Sequence, residues 1–168
     1  MPCIIETDRL ILREFTLQDT GFIINLLNSP GWLQFIGDRN IKTEEQAESY
    51  LANGPIKSYG QNGYGLWLVQ LKDNSRSIGM CGIVRRDTLE HPDLGFAFLQ
   101  EYTGQGFAFE AAKATMVYAK SDLAIPTLSA ITLPENQRSI KLLEKLGFRY
   151  QSPITFPGTT TELLLYIH

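Results

Sequence analysis

Leu99-Gln100-Glu101-Tyr102-Thr103-Gly104-Gln105-Gly106-Phe107-Ala108-Phe109-Glu110-Ala111-Ala112 decides the reading of this chain, because an apolar, strand-like run ends there in a glycine turn that opens straight into a helix-forming segment. In such a turn the N–H groups of the first helical turn lack partners, and the positive end of the helix dipole favours a pyrophosphate. Glycines at 104 and 106 let the backbone approach phosphate oxygens without a Cβ in the way, and Ala108 is the smallest alternative. A P-loop would need Gly-Lys followed by Ser or Thr. A dinucleotide fingerprint would need a third glycine where Phe109 stands, within a βαβ unit. A glycine turn that only links a strand to a helix is the plain alternative.

Upstream of this stretch, Asp93 to Leu99, Ile78 to Arg86 and Leu66 to Leu71 read as strands. They are separated by the turn Lys72-Asp73-Asn74-Ser75 and by a loop holding His91-Pro92, which predicts an antiparallel meander. Leu10 to Phe15 reads as a first strand, and Thr16-Leu17-Gln18-Asp19 opens a helix whose stripe of Ile23, Leu26 and Leu27 runs until Pro30-Gly31 stops it. Thr43 with Gln46 three residues on predicts a capping box, and Asn53-Gly54-Pro55 ends or kinks the helix it starts. Downstream, Gly106 to Asp122 is helical, with Ala111, Ala112, Thr115, Met116 and Ala119 forming a small-residue face suited to close packing on a sheet. Thr127 to Thr132 is a strand, Asn136 to Leu146 a helix, and strands follow from Phe148 and near Thr161 to Ile167. This order predicts an α/β (α+β) fold, a mixed and mostly antiparallel sheet with helices on both faces. No repeat or linker divides residues 1–168, which read as a single domain.

Composition narrows the function. The 168 residues are 43% hydrophobic and 20% charged, the balance of a globular protein. A net charge of -3 without a basic stripe argues against direct nucleic-acid binding. The segment Met1-Pro2-Cys3-Ile4-Ile5-Glu6 lacks a signal-peptide pattern, and no stretch is apolar enough to span a bilayer, so the expected location is cytoplasmic, away from membranes. Cys3 and Cys81 have neither metal-ligand nor disulfide spacing, so no metal is expected and Cys81 reads as a small core residue.

Tyr102 to Ala111 resembles the acetyl-CoA loop of Gcn5-related N-acetyltransferases (GNAT), and within them the branch of the ribosomal-protein N-terminal acetyltransferases. Glu6-Thr7-Asp8-Arg9-Leu10-Ile11-Leu12-Arg13 is similar to that branch's opening strand. Asn136 to Phe148, NQRSIKLLEKLGF, is similar to its late helix and turn. The resemblance implies the GNAT sheet, acetyl-CoA as cosubstrate, and direct attack of a primary amine on the thioester. The acceptor is left open between a protein N-terminus and a small molecule such as a polyamine, an amino acid or an antibiotic amine. The mildly acidic chain suits a cationic acceptor. A homodimer, common among similar proteins, is compatible with the resemblance. In the family pattern Gln/Arg-x-x-Gly-x-Gly/Ala, Gly106 and Ala108 fit, whereas Thr103 departs at the first position.

The resemblance also assigns roles. Thr103, Gly104, Gln105, Gly106, Phe107 and Ala108 form the phosphate loop, and Phe96 and Phe98 mark the strand positions whose N–H groups receive the pantetheine arm. Asn136 and Ser139, one helical turn apart, approach its thiol end. Asp93 stands where relatives often carry a glutamate base, with His91 as competitor and a plain loop-capping carboxylate as the bland reading. Relatives often place a tyrosine acid where this helix has Leu143, which has no proton to give. Ser139 is the replacement, unless Asn136 and Ser139 only cap their helix. Glu110 reads as structural, and His168 as uninvolved. Trp32, Phe35, Tyr64 and Trp67 read either as walls of an acceptor pocket or as core. The missing tyrosine and the shortened carboxylate leave a non-catalytic acyl-CoA-binding or interaction module as the alternative function. A dinucleotide-binding protein is a more distant third.

Overall fold

The computed structural model describes residues 2–168, and its centre is one eight-stranded sheet in the order β1-β2-β3-β4-β5-β6-β8-β7. The strands are β1 (Cys3–Glu6), β2 (Leu10–Arg13), β3 (Leu66–Leu71), β4 (Ser77–Val84), β5 (Asp93–Phe98), β6 (Ser129–Thr132), β7 (Arg149–Ile154) and β8 (Leu163–Ile167). Every neighbouring pair is antiparallel except β5 and β6, as the meander and the later alternation of helix and strand predict. β1 was not expected. Four residues joined to β2 through a bulge carry too short a pattern for periodicity to register.

Helices cover both faces. On one lie α5 (Phe107–Ser121) and α6 (Gln137–Lys145), and the predicted small-residue face of α5 is wholly buried with Trp67, Cys81 and Leu143. Burial pushes the Cys81 thiol up to about 12, so it packs as an inert apolar group against the Thr115 hydroxyl. On the other face lie α1 (Thr20–Leu27), α2 (Pro30–Phe35), α3 (Glu44–Leu51) and α4 (Lys57–Asn62), whose core includes Ile23, Leu26, Leu51 and Leu68. No helix among the described residues is long and apolar enough to cross a membrane.

One correction concerns a proline. Pro30 does not merely stop a helix: α1 ends at Asn28, Ser29 is extended, and Pro30 opens α2 from its first position, where a missing N–H costs nothing. Of the two outcomes read for Asn53-Gly54-Pro55, ending is excluded: a π turn at Ala52–Ile56 absorbs the proline and the chain continues as α4. The Thr43–Gln46 capping box forms as predicted.

Candidate active site

The site arises where β5 and β6 part. Their parallel pairing consists of one register point, Asp93 with Ser129, after which the strands diverge. Leu99 N–H bonds Ile78 C=O, towards β4. By strand alternation, the N–H groups of Phe96 and Phe98 therefore point to the opposite edge, into the gap. A groove of about 700 Å³ occupies that gap, and Phe96, Phe98, Thr103, Gly104, Gly106 and Ala108 line it. Asn136 and Ser139 line its other wall.

The groove ends on α5. Gly104 and Gly106 both have left-handed backbone, with φ of 77° and 84°. The first helical bond of α5 runs from Glu110 N–H to Gly106 C=O, so the N–H groups of Phe107, Ala108 and Phe109 lack helical partners. No side chain caps this terminus, in contrast to α3 and α6. Uncapped donors at the positive end of a fifteen-residue helix, beneath a glycine turn, fit a pyrophosphate. Arg138 and Lys145, seven residues apart on one face of α6, add positive charge to the same wall, and Lys145 also stacks 4.4 Å from the centre of the Phe109 ring. Their spacing was visible in the sequence, but a charge on an exposed helix gives no sign of what it faces.

Gln105, Phe107 and Asp93 stand outside this lining, and Thr103 lines it with its hydroxyl turned to its own turn. The Phe107 ring turns into the core, leaving only its backbone towards the groove. Gln105 is exposed and spends its side-chain amide on Glu101 C=O. The Thr103 hydroxyl donates to Gln100 C=O, so the residue that departs from the family pattern is engaged within its own turn. Asp93 sits at the closed end of the gap, only 2% exposed, with Arg86 Nε 3.2 Å from its Oδ1. Burial pushes its carboxyl up to about 6, against the pull of the Arg86 charge. A buried carboxyl with that value exchanges protons near neutrality.

Asn136 accepts from Ser139 N–H and so caps α6, as its structural reading required, while the Ser139 hydroxyl makes no hydrogen bond among the described residues. Leu143 is fully buried in the core. The tyrosine lining the groove is Tyr102, beside the glycine turn, and the Tyr59 hydroxyl is engaged by Phe15 N–H and Leu66 C=O. Of the aromatic residues weighed as pocket walls, Trp32 and Phe35 line the groove, whereas Trp67 packs edge-on against Tyr118 in the core and Tyr64 packs beside it. His91 stands 3.8 Å from Glu90, and His168 packs on Phe148. No cluster of three or more His, Cys, Asp or Glu gathers among the described residues.

Arg9 plays a part that its place at the start of a strand did not reveal. Its Nε lies 2.8 Å from Glu110, its Nη1 bonds Gln105 C=O, and its guanidinium covers the Phe107 ring. Glu110 also accepts from Thr7 Oγ1 and Arg9 N–H. Burial alone would raise its carboxyl, but these hydrogen bonds outweigh it and hold the group below its ordinary value. Glu110→Ala is therefore expected to lower stability by about 1 kcal/mol above pH 5, because Arg9 is nearly half exposed and solvent recovers part of the loss. Urea unfolding checks this. The difference shrinks as pH falls through the depressed folded value and the wild-type carboxylate protonates.

The acetyltransferase (GNAT) domain family matches residues 9–149 of the chain. The uncharacterized N-acetyltransferase YoaA of Bacillus subtilis (strain 168) is 29% identical over 147 residues, 87% of this chain and 82% of its own. An acetyltransferase from Agrobacterium tumefaciens superposes with a TM-score of 0.82 at 23% identity, over 100% of this chain and 94% of that one. RimL, a ribosomal L7/L12 alpha-N-protein acetyltransferase in complex with coenzyme A, gives 0.82 at 16% identity over 99% and 97%. The two structural likenesses concern the fold, and the family match covers most of the sequence. The chain belongs to the GNAT family of N-acetyltransferases.

Proposed function

We propose that this enzyme takes acetyl-CoA as its acyl donor and passes the acetyl group to a primary amine, on a protein N-terminus or a small molecule, by direct attack. The observation that carries this reading is the divergence of β5 and β6 after one register point, which sends the Phe96 and Phe98 N–H groups into a groove ending on the uncapped α5 terminus. Acetyl-CoA, when bound, supplies an activated acyl thioester. The strand N–H groups hold its pantetheine arm, and the turn from Gly104 to Ala108 holds its pyrophosphate, with Arg138 and Lys145 balancing phosphate charge. One of the strand N–H groups also polarises the acyl carbonyl, the contact that contributes most in acyl transfer.

Asp93, ionised above pH about 6, receives the amine proton through a water, which suits its burial. The Ser139 hydroxyl, otherwise unbonded, hydrogen-bonds the departing thiolate directly or through water. Ser139→Ala is expected to lower kcat about tenfold with little change in the KM for acetyl-CoA, since alanine keeps the backbone N–H that Asn136 caps. An unchanged kcat would assign Ser139 to capping alone. Thiol release from acetyl-CoA across an amine panel tests the whole reading. Amine-dependent turnover supports it, and binding without turnover on any amine would leave an acyl-CoA-binding module.

A further inference from the structure

A second cavity of about 810 Å³ lies on the sheet face covered by α3, the π turn and α4, and its wall includes Leu66 of β3 and Val84 of β4. It adjoins the reacting end of the groove. Along β5, Leu94 and Phe96 pack towards α5 while Ala97 packs towards α1 and α3, so alternation puts Asp93, Gly95 and Ala97 on the cavity's face. A Cβ on Gly95 would stand 3.2 Å from Leu66 and 3.7 Å from Val84, and Val84 is the register partner of Asp93. The chain after α2 joins the two spaces, since Ile36 lines the groove and Arg39 the cavity.

The charge of this cavity opposes that of the molecule. Arg39, Lys57 and Arg85 line it and no carboxylate does, although the chain carries a net charge of -3. None of the three cations forms an ion pair among the described residues. Arg86, next after Arg85, is the cation already committed to Asp93. A concave site with one sign of charge concentrates ligands of the other sign and repels its own.

Resting on the reading that the amine reacts at the Asp93 end of the groove, we propose that the acceptor is an amine that also carries an anionic group, a carboxylate or a phosphate, received by Arg39, Lys57 and Arg85. The transfer is balanced within the two substrates: the N–C bond forms as the C–S bond breaks, the amine loses one proton and the thiolate gains one. A polyamine is disfavoured by the same charges. The acidity of the whole chain, which suggested a cationic acceptor, is therefore a poor guide to this local field.

Matched amines test the inference through kcat/KM with acetyl-CoA: O-phosphoethanolamine against ethanolamine, L-phenylalanine against L-phenylalaninamide, and spermidine as the cation. At least one anionic member is expected to exceed its neutral partner about tenfold or more, and the pair with the larger ratio identifies phosphate or carboxylate. The preference shrinks with added salt, and Lys57→Gln combined with Arg85→Gln reduces it at least about fivefold, with melting curves establishing that the variant is folded. Higher or equal rates with neutral amines or spermidine would overturn the inference, as would an unchanged ratio in the double variant or no turnover of any anionic probe, in each case with acetyl-CoA still bound in calorimetry. Failure of the intact protein to bind acetyl-CoA would instead remove the donor reading beneath it.

Discussion

Gly106→Val is expected to lower the affinity for acetyl-CoA at least about a hundredfold in calorimetric titration while the protein stays folded. Gly106 has φ of 84°, which a β-branched residue adopts only with about 1–3 kcal/mol of strain. A Cβ there would also lie 3.3 Å from Arg9 Nη2, on the guanidinium that ties Gln105 and Glu110 together. The turn relieves the strain by moving its N–H groups, which is where a pyrophosphate would bind. Gly63→Val provides the matched control. Gly63 has φ of 79° and open space around it, but it ends α4 and does not line the groove. Both variants should lose stability to a similar degree, and only Gly106→Val should lose affinity. Normal binding by Gly106→Val, or equal losses in both, would sink the assignment of the loop.

Asp93→Asn is expected to lower kcat by about 10²–10⁴-fold while making the protein more stable near neutral pH by about 1–3 kcal/mol. The two effects share one cause, the burial that raises the Asp93 carboxyl from 3.8 to about 6. Below 3.8 the group is protonated both folded and unfolded, and its burial carries no charge penalty. As pH rises through the interval to about 6 the unfolded chain releases its proton first, so stability falls and the full penalty is present above it. Asparagine never ionises and keeps an oxygen for Arg86, whose side chain is 40% exposed and remains solvated. Urea unfolding of both proteins at pH 7.5 and pH 4 reads the linkage, with the gain present at the first and nearly gone at the second. The acid side of the wild-type pH profile of kcat/KM should bend near pH 6, and Asp93→Asn should lack that bend. A variant with undiminished kcat would return Asp93 to a structural role.

The meander, the small-residue face of α5 and the glycine turn before it were legible because each is a local pattern: alternation, a helical stripe, glycines before a helix. β1 escaped because four residues at an edge draw their conformation from pairing with β2. Pro30 was read only as a stop, because proline disfavours helix interiors, yet it also suits a first turn; at Pro55 the reading left ending and kinking open, and a π turn carries the chain past it. At the site, Phe96, Phe98 and the glycines were placed by motif. Gln105 and Phe107 belong to the same motif, yet their side chains turn away, a distinction set by helix geometry rather than spacing. Arg9 and the cationic cavity were invisible for a different reason. Arg9 meets Glu110 from 101 residues away, and the cavity gathers Arg39, Lys57 and Arg85 from separate elements.

The single register point between β5 and β6 makes the sheet two plates, strands β1 to β5 and the trio β6, β8 and β7, fastened at one rivet. Under the proposed donor reading, an arm bonded to the Phe96 and Phe98 N–H groups on one side and held by α6 on the other would act as a missing strand, restoring continuity across the seam. Substrate capture would then be partly an act of folding. The melting temperature should track donor concentration by mass action, and the amides of the seam should exchange slowly with deuterium only while it is occupied.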